Sequence, residues 1–291
     1  MRVTDRARVG MMVLAQSRAS ARLDEASRIA AGGRRVSKPS DDPATYGSMV
    51  RKNYALALLD QHTQIATRAQ GELEVAQSAL TESVDLLARA RAAAVAGANT
   101  TADAHARNLL GDEVKTIRDS LIALANTRYS NKYLFGGTKT DAQPFDPVTG
   151  AFGGNDQVVR VPVLEGVAPP ANASGAMAFT ARGGRDIIGD LDALMQALYS
   201  NNEAGIRATI DDLELGHRQI VRAQVDAGFA ADRFRSAVDV IASTRMALVE
   251  QLNKEVEGDP AAQITEFTLA RTAYERSVAV TKQLLSLTTS S

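Results

Sequence analysis

Side chains that could do chemistry are few in this sequence, and their spacing does not suit it. The three histidines, His62, His105 and His217, stand far apart. None forms the H-x-x-x-H pair that sets two imidazoles on one helix face for a metal ion. His62 falls on a helix seam and reads as a packed or half-exposed ring. Cysteine is absent, which removes thiol nucleophiles, disulfides, cysteine-zinc sites and iron–sulfur ligation together. Gly136-Gly137-Thr138-Lys139-Thr140 has the residue types of a phosphate loop, but lacks the G-x-x-x-x-G-K-[ST] spacing and runs into no helix pattern. Asp41-Asp42 could serve acid–base work as paired carboxylates. Placed before Pro43, both read instead as caps for the free N–H groups of a helix start. Asp156, Glu165, Arg160, Arg182 and Arg185, in the glycine-rich middle, form no convergent catalytic set. The expectation is a non-enzyme, with no catalytic residue, no cofactor and no metal.

Composition narrows the class further. Among 291 residues, 33 Lys and Arg balance 34 Asp and Glu for a net charge of −1, against nucleic acid as a partner along the chain. Apolar residues make up 45%, yet aromatics are only 6 Tyr and 7 Phe, so Ala, Leu, Val and Ile carry that fraction. Such a mix suits long helices with narrow seams better than an aromatic-lined pocket. No apolar run reaches the roughly 18 to 20 residues of a membrane span, so no membrane partner is expected. The first 22 residues are broken by Arg2, Arg6, Arg8, Arg18 and Arg22 and read as mature protein without a cleaved signal.

The elements are punctuated in a mirror-like way. Gly32-Gly33 closes an N-terminal arm, and Asp42-Pro43 opens the next helix, Asp42 as cap and Pro43 at the first helical position. Gly258-Asp259-Pro260 repeats that chemistry near the other end. Residues 1–31 match 261–291 in length, and 43–97 match 203–257, as a chain that goes out and returns antiparallel requires. At about 1.5 Å per residue, the longer pair extends roughly 80 Å and the arms roughly 45 Å, which describes a rod. Leu59, Ala66, Leu73, Leu80, Leu87 and Ala94 recur every seven residues, with His62, Ala69, Ala76, Ser83 and Ala90 on the companion line. A second run, Leu110, Val114, Ile117, Leu121 and Leu124, is spaced 4-3-4-3. The return carries Val238, Ile241, Leu248 and Leu252, interrupted by Arg245, and the last arm carries Ile264, Phe267, Tyr274, Val278 and Leu285 as an assembly seam. Between Gly136 and Gly184 glycine and proline crowd together, and Gln157–Leu164 and Met177–Thr180 look like short strands joined by turns. A helix over Ile187–Tyr199 leads back.

The expected fold class is mainly α: a long antiparallel coiled-coil rod from the N- and C-terminal segments, with a small β-rich insertion. Its domains are terminal arms at 1–42 and 258–291, a helical rod at 43–135 and 186–257, and the insertion at 136–185. Residues 1–38 hold nine basic and three acidic side chains, a local charge of +6. Neither arm has enough apolar surface to stay helical alone, because helix nucleation is costly and a thin stripe needs a partner. The arms are therefore expected to order when paired with each other and with other copies of the chain, as in a polymer subunit.

Several segments resemble the flagellin family. Ile29-Ala30-Ala31-Gly32-Gly33-Arg34-Arg35-Val36-Ser37-Lys38-Pro39-Ser40-Asp41-Asp42-Pro43-Ala44 is similar to its N-terminal signature. Ala123-Leu124-Ala125-Asn126, followed by Tyr133-Leu134-Phe135-Gly136-Gly137 and Pro144-Phe145, is similar to the family's hook–filament junction branch. Gly258-Asp259-Pro260-Ala261-Ala262-Gln263-Ile264 and Leu284-Leu285-Ser286-Leu287 resemble its C-terminal elements, whereas the ending Thr288-Thr289-Ser290-Ser291 departs from them. The resemblance implies an extracellular structural subunit of the bacterial flagellum, exported through the type III export apparatus without signal cleavage. It implies a place at the junction between hook and filament. Its partners there would be other copies, a neighbouring hook-associated junction protein, the flagellin filament and an export chaperone. Filament flagellin is the alternative within the family, and a cytosolic coiled-coil adaptor the alternative outside it.

Overall fold

The computed structural model describes residues 2–164, 166–257 and 259–289, with residues 2–6, 8–9 and 284–289 as backbone only. Gly258, read above as part of the break before the last arm, lies outside the described residues, as does the side chain of Leu285. The chain is mainly helical, as expected: α1 (Arg2–Gly32), α2 (Pro43–Gly97), α3 (Ala104–Ala125), α4 (Gly175–Phe179), α5 (Ile187–Tyr199), α6 (Glu203–Val256) and α7 (Pro260–Thr289). Two strands, β1 (Arg128–Tyr129) and β2 (Lys132–Tyr133), pair antiparallel. Two compact units form, one from Met1–Leu59 with Ser243–Ser291 and the other from Asp60–Ala242.

In the unit of residues 60–242, both heptad lines of α2 are turned inward. Ala66, Leu73, Leu80, Leu87 and Ala94 are buried, and so are Ala69, Ala76, Ser83 and Ala90. They meet Leu213, Ile220 and Phe234 of α6, while Val114, Ile117 and Leu121 of α3 meet Leu191, Leu194 and Leu198 of α5. The alanines matter because small side chains let helix backbones approach. Leu110 and Leu124 are half-buried at the edge of this core. Polar contacts give the antiparallel register: Thr81 with Gln224 (2.8 Å), Arg91 with Glu214 (2.8 Å) and Arg207 with the Ala98 carbonyl (3.5 Å). The two residue numbers sum to 305 in each of these pairs, and to 309 for Glu74 with Arg235 (3.2 Å), so the register holds to about one turn. Buried Arg107 ties three helix ends together, donating to the Gly97 carbonyl (2.8 Å), the Asn99 carbonyl (3.1 Å) and the Asn201 side chain. Its cation also sits at the electronegative C-terminus of α2.

The glycine-rich insertion has less sheet than its composition suggests. β1 and β2 precede it, and among its described residues extended segments meet as isolated bridges, such as Phe145 with Phe152, Arg160 with Pro170 and Leu164 with Val167. Pro162, Pro169 and Pro170 lack the N–H that a continuing ladder needs. Met177–Thr180, expected as a strand, instead belongs largely to α4, whose first turn is capped by Ser174 accepting from the Met177 N–H (3.3 Å). The insertion is held by aromatic packing and single polar clamps. Phe135, Phe145 and Phe179 are fully buried, and the Asn126 amide bonds both the Phe145 carbonyl and its N–H at 2.9 Å. Gly136 and Gly175 are required by close backbone approach, since a Cβ on either would lie 2.3 Å from a carbonyl oxygen. The Gln219 amide on α6 accepts from the Arg185 N–H (2.8 Å) and donates to the Ala178, Thr180 and Arg185 carbonyls (3.1 Å each).

Candidate assembly surface

The groups first considered for chemistry are occupied structurally. His62 is half-buried, with Nδ1 2.9 Å from the Val163 carbonyl oxygen. In the Gly136–Thr140 loop, the Lys139 ammonium donates to the Gly153 carbonyl (3.2 Å) and Asn155 bonds both the Thr138 N–H and its hydroxyl. Among the described residues no cluster of three His, Asp or Glu could hold a metal ion, and no helix is long and apolar enough to cross a membrane.

The surface that stands out belongs to the unit of residues 1–59 and 243–291. α1 and α7 pair there, joined by Arg22 with Glu266 (2.8 Å) and by the Gln263 amide on the Gly33 carbonyl (3.2 Å). Gly33, at φ +67°, follows the last turn of α1 and donates to the Ile29 carbonyl (2.8 Å), a left-handed stop suited to glycine. The chain then lies against the end of α6: the Arg35 N–H donates to the Val256 carbonyl (2.8 Å), and Val36 and Val256 are buried. Lys52 (2.5 Å) and Ser48 (2.8 Å) of α2 both reach Glu255, and the Lys52 ammonium chiefly holds that carboxyl below its usual range.

The two aspartates before α2 divide their work, which corrects the expectation that both are caps. Asp42 is the cap, accepting from the Ala44 and Thr45 N–H groups at 3.1 Å, with Pro43 as first helical residue. Asp41 instead accepts from the Ser37 (3.0 Å) and Lys38 (3.1 Å) N–H groups and faces the Arg28 guanidinium of α1 at 3.5 Å. Asp259 accepts from the Ala261 N–H (2.9 Å) beside Pro260, the first residue of α7. The Ser37 amide chiefly lowers the Asp41 pKa, and the Thr45 hydroxyl chiefly lowers that of Asp42. Lowered carboxyl pKa values stabilise above the unfolded-state value of about 4, and the gain is lost as pH falls through the folded values. Protection of the Ser37, Lys38, Ala44 and Thr45 amides is accordingly expected to fall on acidification below about pH 4, which hydrogen exchange at matched pH can read.

Little of this unit is buried. Among its described residues the buried hydrophobics are Ala26, Val36, Val256 and Ala270. Met11, Val13 and Leu14 on α1, Val50, Tyr54 and Leu58 on α2, Met246 on α6, and Ile264, Leu269 and Val280 on α7 are exposed. Val50, Tyr54 and Leu58 fall at i, i+4 and i+8, one continuous stripe. Phe267, Tyr274 and Val278 of the expected seam are half-buried, whereas Ile264 is 63% exposed. Leu59 is also half-buried. Ordering a residue costs about 1–2 kcal/mol of backbone entropy, and so small a core offsets little of it. The sequence signal for this was the thin stripe in both arms; the tie of Arg28 to Asp41 was hidden inside an apparently uniform basic segment.

Comparison with known proteins agrees with this architecture. The profile of the bacterial flagellin N-terminal helical region matches residues 11–140. Flagellar hook-associated protein 3 of Salmonella typhimurium is 34% identical over 128 residues, 44% of this chain and 40% of the relative. The protein of that name from Escherichia coli K12 is 31% identical over 129 residues, 44% of this chain and 41% of the relative. The chain thus spans about two fifths of the length of the curated relatives it matches. A flagellar hook-associated protein from Vibrio parahaemolyticus superposes with a TM-score of 0.69 at 20% identity, covering 75% of this chain and all of that one. Xanthomonas campestris FlgL gives 0.62 at 16% identity, covering 69% and 99% of the two chains. At these identities the likeness is one of fold. The resemblance to flagellins carried by the Gly32–Ala44 and Phe135-Gly136-Gly137 segments is borne out: residues 11–140 match the profile of the bacterial flagellin N-terminal helical region, and the fold is like that of flagellar hook-associated proteins.

Proposed function

We propose that this chain is a structural subunit of the bacterial flagellum, working without catalysis at the junction between hook and filament. The observation that carries the proposal is the exposed apolar surface of α1, α7 and the adjoining ends of α2 and α6, against four buried hydrophobics among the described residues of that unit. Such a surface is stabilised by burial against neighbours, so polymerisation completes a core that the lone chain lacks. The likeness of 128 residues of the chain to hook-associated protein 3 supports the junction in particular. In this reading 1–42 and 258–291 form the inner coiled coil of the assembly, with Ile264, Phe267, Tyr274, Val278 and Leu285 on its seam. Residues 43–135 and 186–257 form the next shell, and 136–185 face outward. The partners are other copies, a neighbouring hook-associated protein and the first flagellins. An export chaperone shields the C-terminal arm until the type III apparatus passes the chain to the exterior.

Deleting the gene tests the role. Cells are expected to keep hooks but shed flagellin into the medium, and to regain filaments when the gene is restored. Normal filaments after deletion would overturn the junction role, and loss of the main appendage protein itself would make the chain a filament flagellin.

A further inference from the structure

The unit of residues 60–242 holds two cores, and they are walled differently. The first joins Ala76, Leu80, Leu87 and Ala94 of α2 to Leu213 and Ile220 of α6, with α3 and α5 as further walls. The second joins Ala66, Ala69 and Leu73 of α2 to Ala230, Ala231, Phe234 and Ala237 of α6. Its third wall is Val163 and Ala171, with Val161 and Leu164 packed beside them, from two extended limbs of the insertion, 157–164 and 166–172. The change of wall follows from helix length. Arg89 faces Glu113 (3.4 Å) and Arg107 the Gly97 carbonyl (2.8 Å), so facing numbers on α2 and α3 sum to 202 and 204. α3 therefore ends, at Ala125, level with residues 77–79 of α2, and the limbs take its place beside Ala66–Leu73.

Their hold is slight. The limbs bond each other through the Val161 N–H on the Pro169 carbonyl (3.1 Å), the Val163 N–H on that of Val167 (3.1 Å) and the Ala171 N–H on that of Val159 (2.8 Å). Asn172 closes their base, accepting from the Val159 N–H (2.8 Å) and donating to the Gln157 carbonyl (3.0 Å). Such a two-stranded ribbon is marginal by itself in water. Two points fix it to the helices: Val163, inaccessible to solvent, and His62, whose Nδ1 lies 2.9 Å from the Val163 carbonyl oxygen. Open grooves of about 230 Å³ on the α2 side and about 570 Å³ on the α6 side flank it. We propose that the limbs form a strap that opens and closes over α2 and α6 in one step with the second core, while the first core stays shut. Alanines face alanines at that level, so the helix pair buries little without Val163, and the ribbon has no order of its own without the helices. Each needs the other, which makes the limbs, residues 66–73 and residues 230–241 one cooperative piece, less stable than the rest of the unit. His62 is its clasp: the carbonyl can only accept, so the ring donates. This yielding stretch goes beyond the flagellar reading and does not depend on it.

Hydrogen exchange of the purified full chain tests the strap. Val163→Ala is expected to speed exchange about tenfold or more in the limbs, in residues 66–73 and in residues 230–241, and less than about twofold in α3, α5 and residues 80–94. Asn172→Ala is the stricter variant, because the hydrogen bonds of Asn172 go to the limbs' own backbone. It is expected to speed exchange about threefold or more in the same two helix stretches. Faster exchange confined to the limbs in Asn172→Ala overturns the strap, as does an equal rise across all of residues 60–242 in Val163→Ala. Unchanged exchange of the helix stretches in either variant overturns it too.

Discussion

Truncation of Phe135 to alanine is expected to cost the unit of residues 60–242 about 3–5 kcal/mol, the range for a fully buried phenylalanine. The ring is inaccessible to solvent and meets Phe179 edge to face, with centroids 5.4 Å apart at 89°. Phe179 meets Phe145 in the same way, at 5.6 Å and 83°. The surroundings cannot collapse into the space, because the backbone there is already pinned. Gly175 lies against the Phe135 carbonyl, Gly136 against that of Lys139, and Asn126 holds Phe145 by both its backbone groups. A cavity therefore persists, and its cost adds to the lost burial. Hydrogen exchange of α3 and α5 amides in the full chain reads the loss, with Phe135→Leu giving a smaller one. Coupling to Phe179→Ala in a double-mutant cycle should fall near 0.5–1.5 kcal/mol, as edge-to-face pairs do. A loss below about 1 kcal/mol would mean that the insertion is not anchored through this ring.

That anchor was only half legible in the sequence. Phe135-Gly136-Gly137 stood out as a family motif, but nothing in its composition says that the glycines are there because carbonyl oxygens occupy the space of their side chains. The helical part was readable because a seven-residue repeat of leucine and alanine is long enough to be unambiguous: Leu73, Leu80, Leu87, Val114, Ile117 and Leu121 are all buried. The insertion was harder for the opposite reason. A run as short as Met177–Thr180 has no period to separate strand from helix, and the cap at Ser174 decides it. The clamps made by Asn126, Gln219 and Arg107 are isolated polar residues whose partners are distant in sequence, so no local pattern announces them. In the terminal unit, thin stripes pointed to weak burial, and in the lone chain Phe267 of the expected seam is half-buried while Ile264 faces outward.

That outward position makes Ile264→Asp the sharpest separation of folding from assembly. In the lone chain the side chain is 63% exposed, so a carboxylate there should change unfolding by no more than about 0.5 kcal/mol, as exposed substitutions generally do. If neighbouring copies cover α7, the same carboxylate is removed from water without a partner, at an effective penalty of several kcal/mol per subunit. At 1.4 kcal/mol per factor of ten, incorporation into appendages should fall about 100-fold or more. Phe267→Asp is expected to lose assembly as well, but with weaker protection of α1 and α7 in the monomer, because Phe267 is already half-buried there. Ile264→Val keeps the apolar surface and should incorporate almost as the parent does. The measurements are quantitative detection of the chain in sheared appendages and hydrogen exchange of the purified monomer. Ile264→Asp incorporating as well as the parent would show that this face of α7 stays in water in the assembled state. A monomer whose α1 and α7 amides lost protection on that substitution would instead show that Ile264 already supports the lone fold.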